Sequence, residues 1–536
     1  MQKEHGEYMK PIFLKFSSGR EFSALTDISK ARNTERTVII FFSENVMVRY
    51  FDIDSSVIID KLIAFYASPT KAGIEHITKN DGCYNICLCA EAKIKKFFSD
   101  KVMPLLETDG EKHEFIILSE EMPVKKDFIE IPGQICPVFY SVSLGRLIPV
   151  SYSPFSYNNI ELAAKGSSTA STASGEKKQI LSLGNEKDFT ISYLQDGGIT
   201  VSPNFGELDD LYEIDTMEIM VNSIMGHGKF KNITVLKDYN NYSMISDYTR
   251  KFPSVFNVYH VYAHMANVLF DNEILSGKSI GIVYDSISYD DSDQIRGGEA
   301  LYGNIGNIDI IGGWKPLPLP GGDIANIEPW RIALAVLKEV TDGGLASVNL
   351  PLTKSIRENP NYTYIYNAID QGIMSFSLSS SMHHIIAALG EVISYKETTF
   401  NFEYFENMMD STMIKKCESA YYDIPLIEDD GKYFLDTYEL FRLVAVSMRE
   451  KAEPLSMICN IIVSIAKATA KLIEKLSKVH KEKKIVLAGE YFKHPNLLTI
   501  LYNELDQKGY KLYLPKKIPV DDSGISVGQL LYHYYE

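Results

Sequence analysis

The sequence predicts an α/β fold divided into two domains. Three observations lead there. The chain has 536 residues, enough for two or three domains. Short apolar runs alternate with stretches of helical spacing along most of it. One small, polar segment, AAKGSSTASTASGEKK (Ala163–Lys178), has no apolar period and reads as a linker. We therefore expect a first domain over 1–160, a linker over 161–178 and a second domain over 179–536. No internal repeat of the solenoid type is visible.

Hydrophobic residues make up 45% and charged residues 23% of the chain, an ordinary globular profile. The net charge of −16 argues against a protein whose main task is gripping phosphate backbones. The longest apolar runs, such as Met457–Ala466, are too short to span a bilayer. The opening MQKEHGEYMK is charged and has no apolar signal core. These features predict a cytoplasmic protein with neither membrane nor nucleic-acid partner. Six cysteines in such a chain do not suggest a disulfide framework. Cys83, Cys87 and Cys89 have a spacing that could hold a metal, but no second pair completes a zinc ribbon. CYNICLCA reads equally as an apolar strand with small buried thiols.

In the first domain, RTVIIFF and HEFIILS have the look of buried strands, and SSVIIDKLIAFYA has helical spacing. The second domain opens with KQILSLG, DFTISYL and GITVSP, three alternating strands separated by glycine-containing turns, as in a meander. SIGIVYD (Ser279–Asp285) is a short apolar strand ending in an acid. KKIVLAGEYF is another, followed by the helix-like PNLLTILYNELDQKGY. Strand, glycine turn and helix form a nucleotide-binding unit, because glycine admits a phosphate and the helix N-terminus favours its charge.

Four segments carry residues with chemistry. In NVYHVYAHMANVLFD, His260 and His264 lie four apart and would project from one helix face, a spacing that suits one metal or two hydrogen-bonded histidines. Asp285 closes its strand, where carboxylates face the ligand crevice of an open sheet; a solvated turn acid is the other reading. In GGWKPLPLPGGDIANIEPWRIALAVLKE, Gly321 and Gly322 permit positive φ beside a ligand or simply make a loop, and Pro329 suits a helix start. Trp330 is expected to be buried. In LPKKIPVDDSGISVGQLLYHYYE an acid either caps the C-terminal helix or, as Asp522, ligates metal. Two histidines and two carboxylates would suit iron, zinc or a similar divalent ion, but spacing alone does not bring the four together.

These segments occur in the order, and nearly the spacing, of the HypF carbamoyltransferase family. YHVYAH resembles the family's HHHAH. Asp285–Glu299, DSISYDDSDQIRGGE, resembles DGTGYGDDGTIWGGE without a gap. LPGGDIANIEPWRIAL is similar to LPGGDAAxxEPWRxAL, PVDDSGISVGQ to PPNDGGIALGQ, and ILSLGNEKDFTISYLQDGGITVSPNFGELDD to ILAxGxELKNTF…LSQHIGDLEN. The resemblance covers about 180–536 and extends to the tRNA threonylcarbamoyl-transferase subunit and antibiotic O-carbamoyltransferases. It implies an actin-like (ASKHA) pair of ribonuclease-H-like lobes. It implies a metal site mapping onto His260, His264, Asp285 and Asp522, and a nucleotide cleft shaped by Gly297, Gly298, Glu299, Gly321, Gly322, Asp323 and Gly489. ATP, a carbamoyl-adenylate and iron or zinc are the implied cofactors. A HypE-like protein is the implied acceptor, in hydrogenase maturation. MKPIFLKF and SLGRLIPVSYSP are similar to pieces of the family's YrdC-like domain, so the first domain is expected to be a shortened, degenerate version of it. The family's acylphosphatase motif and paired CxxC fingers have no counterpart here.

Several positions depart from the pattern. GGVFQN becomes GEYFKH (Gly489–His494), placing Glu490 where phosphates would lie; its charge and bulk oppose an anionic ligand. SSMGRLFDA becomes SSMHHIIAA. The lysine of ELKNT becomes Asp188, and the histidine of SQHIGDL becomes Asn204. The SGNxSG segment is not recognisable. Two expectations follow: an ATP-dependent carbamoyltransferase, or a degenerate homologue that keeps the fold and acts as a binding or accessory protein.

Overall fold

The structure is a computed structural model. It describes residues 233–536 apart from 242, 342–344, 375 and 395–410, most of 179–208, a few short pieces between and before these, and the course of ten short strands within 1–150. The chain forms two compact units. One holds Met1–Asn158 with Pro203–Phe205 and Lys516–Pro519; the other holds Asn159–Ser202, Gly206–Pro515 and Val520–Glu536.

The first unit contains a six-stranded sheet in the order Asn85–Leu88, Thr37–Phe41, Glu114–Leu118, Glu21–Leu25, Ile12–Phe16, Phe128–Ile131. Neighbours run parallel except Ile12–Phe16 against Glu21–Leu25. The expected strands RTVIIFF and HEFIILS form its paired centre. The helix expected in SSVIIDKLIAFYA, the linker Ala163–Lys178 and the side chains of Cys83, Cys87 and Cys89 lie outside the described residues.

The second unit is built on two mixed sheets. In the first, β1 (Asn158–Glu161), β2 (Gln179–Ser182), β3 (Ser192–Gln195), β4 (Gly198–Val201), β5 (Ile233–Lys237) and β6 (Val255–Asn257) lie in the order β1-β4-β3-β2-β5-β6. The second sheet runs through β7 (Ser279–Tyr289), β8 (Ile295–Asn304), β9 (Asn307–Trp314), β14 (Lys484–Ala488) and β15 (Lys511–Tyr513) in the order β9-β8-β7-β14-β15. It is extended past β9 by β13 (Lys432–Leu435) and β12 (Leu426–Asp429), with β10 (Leu317–Pro320) and β11 (Phe376–Ser379) to one side. Both sheets repeat one plan. Three strands form an antiparallel meander, and the first of them is then joined by two parallel strands. The expected pair of like lobes is present, and the predicted opening meander is β2-β3-β4.

Two helices knit the lobes together. α1 (Met244–Thr249) leads into the first lobe's last strand, and α2 (His260–Asp271) follows it. α3 (Trp330–Glu339), α4 (Met382–Ser394), α5 (Thr437–Arg449), α6 (Pro454–His480) and α7 (Pro495–Asp506) belong to the second lobe. The final helix, α8 (Ile525–Tyr535), returns to pack on β2, β3 and β5 of the first sheet, while α2 packs on β7 and β14 of the second. α2 and α8 also pack on each other. Gly528 makes this possible, since a Cβ there would lie 2.2 Å from the Ala263 carbonyl oxygen.

One expectation is corrected by α6. Sequence runs looked too short for a bilayer, yet α6 has 27 residues and a window of mean hydropathy 1.5, long and apolar enough by length and composition to cross one. That window is 78% buried inside the protein, and α6 packs on α7, β13 and β7. It begins cleanly because Glu453 accepts from the Leu455 and Ser456 amides and Pro454 occupies the first turn.

Candidate metal centre and adjoining cavity

α2 starts at His260, so His260 and His264 stack one turn apart on the same face. Asp285 does not close its strand as expected: β7 runs on to Tyr289, and Asp285 lies within it where the register with β8 breaks between Tyr284 and Ser288. A bulge of this kind re-aims a side chain, here toward α2. Gly297 (φ +142°) faces the bulge; a Cβ on it would come within 2.6 Å of the Ser286 oxygen and 2.8 Å of the Asp285 oxygen. The acids of VDDSG divide the two roles that sequence left open. Asp521 caps, accepting from the Ser523 amide and hydroxyl at 3.1 and 2.6 Å, and Asp522 is left to face the histidines.

The structure thus brings together all four predicted residues. One donor atom each from His260, His264, Asp285 and Asp522 lies within 4.8 Å of the others, and all four side chains are buried. His260 Nε2 is 2.9 Å from Asp285 Oδ2 and 3.4 Å from Asp522 Oδ1. His264 Nε2 is 3.2 and 3.7 Å from the same two atoms.

The outer atoms of these residues are tied by a second layer. His260 Nδ1 donates to Asp238 Oδ2 at 2.7 Å. Asp238 Oδ1 accepts from Gln529 Nε2 at 2.6 Å, and Gln529 Oε1 accepts from the Ser182 hydroxyl at 2.7 Å. A donor at Nδ1 leaves Nε2 as the lone-pair nitrogen, the form a metal requires. Asp285 Oδ1 accepts from the Glu490 amide at 3.1 Å, and Asp522 Oδ2 from the Asn185 amide at 3.0 Å. Each carboxylate keeps its other oxygen turned inward. Among the described residues, His260 Nε2 and Asp522 Oδ1 are buried polar atoms without a well-aligned hydrogen bond, left with ion-pair contacts inside the cluster. Such orphans are rare unless something else satisfies them, and imidazole with carboxylate is a donor set for iron or zinc. The residues fit a divalent metal.

The surrounding acids favour a second proton on each ring, so an ion bound here would displace it. Burial alone would lower both imidazoles, but Asp238, Asp522 and Asp285 hold His260 well above its usual range, and Asp285 lifts His264 to about 9. Burial opposes ionisation of the two acids as well. The paired histidines nonetheless hold Asp285 well below the carboxylate range, and Asp522 is lowered by His260 and Lys187.

Beside this cluster opens a cavity of about 370 Å³, lined in part by Asn185, Lys187, Asp238, Tyr289, His383 and Asp522, with Glu490. The seven residues expected to shape a nucleotide cleft are not among its lining. Gly297 and Gly298 clear space for the β7 bulge and for the Ser380 carbonyl. Glu299 is 2% exposed, accepts from the Gly297 and Gly298 amides at 2.6 and 2.8 Å and bonds the Ser380 hydroxyl, so it points into its own strand. Gly321 and Gly322 form a turn that ends at Asp323, which accepts from the Tyr289 hydroxyl at 3.1 Å. Gly489 (φ +93°) makes the tight turn that aims the Glu490 amide at Asp285; a Cβ there would lie 2.3 Å from the Tyr284 oxygen. Trp330 is 6% exposed and packs on Tyr362, the burial expected of it.

Two readings from sequence change. The lysine replaced at Asp188 is not lost to the site: the ammonium of the preceding Lys187 reaches the cavity. The charge of Glu490 is not left bare, since it pairs with Lys187 at 3.1 Å and Lys493 at 3.2 Å. Sequence reasoning also missed Asp238. Its signal was available: ITVLKD, like GIVYD, is an apolar strand ending in an acid. Asn185 and Gln529 carried no comparable signal.

Comparison with known proteins adds to this. Residues 281–529 match the family described as carbamoyltransferase, Kae1-like domain, second subdomain, and residues 175–271 match the HypF Kae1-like domain. The carbamoyltransferase HypF of Synechocystis sp. is 22% identical over 375 residues, covering 66% of this chain and 47% of its own length. That of Rhodobacter capsulatus is 27% identical over 276 residues, covering 51% and 35%. The chain therefore spans less than half the length of these curated relatives. Among solved structures, full-length HypF in its phosphate- and nucleotide-bound form superposes with a TM-score of 0.64 at 18% identity, over 94% of this chain and 67% of that one. HypF of T. kodakarensis gives 0.60 at 17% identity, over 74% and 51%. At these identities the likeness speaks for the fold, an actin-like pair of lobes.

Proposed function

Since the chain belongs to the HypF-type carbamoyltransferase family, we propose that its second unit moves a carbamoyl group from an adenylate to a thiolate or hydroxyl acceptor, of which a HypE-like protein is one kind. The observation that carries this reading is the cluster of His260, His264, Asp285 and Asp522 at the wall of the cavity. In forming the adenylate, a carbamate oxygen bonds the α-phosphorus of ATP and pyrophosphate leaves. In the transfer, the acceptor sulfur or oxygen bonds the carbamoyl carbon, the carbon–oxygen bond to AMP breaks, and the acceptor proton passes to a base.

The chain's residues have defined tasks in this reading. Asp238 and Gln529 fix the orientation of His260. The Glu490 amide and Asn185 fix Asp285 and Asp522, so four ligands need no reorganisation to hold iron or zinc. Bound there, such an ion supplies Lewis-acid polarisation of a carbamoyl or phosphoryl oxygen. The cavity walls position the reacting groups, which supplies much of the rate.

The test is product formation by the full chain given ATP, carbamoyl phosphate and a carbamate source. AMP and pyrophosphate are expected. A chain that holds metal yet forms neither supports the second reading, a binding or accessory homologue. One observation favours that alternative: the Glu490 carboxylate already engages the cavity's lysine.

A further inference from the structure

Glu490 sits in an unusual place for an acid. Its amide holds a carboxylate of the metal cluster at 3.1 Å, and its own carboxylate reaches the cavity. One oxygen, Oε2, takes both Lys187 Nζ at 3.1 Å and Lys493 Nζ at 3.2 Å. Lys187 Nζ also approaches the Ser286 hydroxyl at 3.4 Å. The Glu490 side chain is 13% exposed, while Lys187 remains 44% exposed and faces the cavity. A carboxylate oxygen receiving two ammonium groups, one of which also reaches a hydroxyl, is the arrangement an oxyanion of a phosphate group would occupy. Nothing about β14 or its turn demands an acid here. The turn is set by Gly489, and the contact to Asp285 comes from the backbone.

We propose that Glu490 is a built-in counter-anion that sets the charge selectivity of the cavity: a phosphate-bearing ligand engages Lys187 only by displacing the Glu490 carboxylate. The inference rests on the proposed reading of this cavity as the site of a phosphate-bearing ligand. Two consequences follow. Simple polyanions are disfavoured, because displacing Glu490 strands a buried carboxylate near Asp285 and Asp522. A ligand that brings its own contacts elsewhere in the cavity can offset that cost, so the device filters small anions from larger phosphate-bearing ones. Glu490 is a specificity-determining residue in this scheme; it takes no part in bond making.

The experiment is calorimetric titration of inorganic pyrophosphate into the full chain as purified, compared with Glu490→Gln and with Glu490→Gln combined with Lys187→Gln. Glutamine keeps the side chain's size and leaves the backbone amide on Asp285. Pyrophosphate should bind about tenfold or more tightly to Glu490→Gln, a difference of about 1.4 kcal/mol. The double variant should return to within about twofold of the wild type, since the liberated ammonium carries the gain. Equal affinities in wild type and Glu490→Gln, or no binding to either, overturn the proposal. So does a gain that survives loss of Lys187. Should Glu490→Gln fail to fold, Glu490→Ala, which brings no polar group of its own into the cavity, makes the same comparison. Metal content of the same preparations separates the two ideas. A tenfold gain in a chain that holds no metal sinks the transferase reading and leaves the role of Glu490 standing.

Discussion

His260 Nε2 and Asp522 Oδ1 lie 3.4 Å apart, both buried, and among the described residues neither makes a well-aligned hydrogen bond; their polar neighbours are ion-pair contacts within the cluster itself. They come from segments more than two hundred and fifty residues apart in the chain, one from the helix that packs on the second sheet and the other from the start of the helix that packs on the first. Leaving two such atoms unsatisfied costs about 1–3 kcal/mol each, which a divalent ion in contact with both removes.

Metal content follows from that relationship. The purified chain is expected to hold about one divalent ion, and His260→Ala or Asp522→Asn should lose it. The neighbouring Asp521 supplies the contrast. Asp521→Ala removes the cap on Ser523 and no ligand of the cluster, so it should keep the metal and lower stability by about 1–2 kcal/mol. Elemental analysis showing equal metal in wild type and Asp522→Asn refutes the assignment.

Asp238 acts on the metal through His260. In Asp238→Asn the hydrogen bond to Nδ1 weakens and the imidazole tautomer is no longer fixed. Metal affinity should fall by about 10–100-fold while the fold is retained. Competition with a chelator of known affinity measures it, and an unchanged affinity shows that Asp238 is merely a neighbour.

Gly489→Ala should be costly far beyond the size of a methyl group. The position has φ +93°, and the added Cβ would lie 2.3 Å from the Tyr284 carbonyl oxygen in the adjacent strand. A loss on the order of 3 kcal/mol is expected from strain and clash together. The urea midpoint of the variant reads it; a shift too small to resolve would mean that β7 and β14 can part without cost.

His384 gives the chain an acid-sensitive point away from the metal cluster. The side chain is fully buried; burial first, and the neighbouring His383 second, push it down to about 3. Neutral, it bonds the Ser379 hydroxyl at 2.7 Å and Asn326 Oδ1 at 2.5 Å. Its folded value lies below the unfolded one of about 6.5, so the unfolded chain takes up the proton first. The stability it confers is whole above pH about 6.5 and is lost as pH falls toward 3, by up to about 4 kcal/mol. The stability of His384→Gln should depend less on pH across that window than that of the wild type. Parallel curves for the two would rule the histidine out as the source.

Much of the second unit was legible in the sequence for local reasons. Alternating apolar residues and glycine turns marked β2, β3 and β4, and the absence of proline or glycine between Tyr259 and Asp271 marked α2. The i, i+4 spacing placed His260 and His264 on one face, and a strand-terminal acid flagged Asp285. What escaped depended on the path of the backbone. Lys187 was passed over because it lies in a turn between two strands, where no periodicity reports which side chain faces the cavity. Gly297 and Gly298 were placed at the nucleotide cleft by the family resemblance; their local task, clearing space for the β7 bulge and the Ser380 carbonyl, is a close backbone approach that no spacing reports.

The sequence by itself determined the elements, the two histidines on one face and the family pattern, because these follow from short-range sterics and spacing. Only the tertiary structure decided that Asp521 takes the cap while Asp522, the acid the family pattern pointed to, meets the histidines, that Asp238 holds His260, and that Glu490 meets Lys187. Each of these is a contact across the packed pair α2 and α8 or between the two sheets. Such contacts are set by how two lobes close on each other, and nothing in the spacing of residues along one chain encodes that closure.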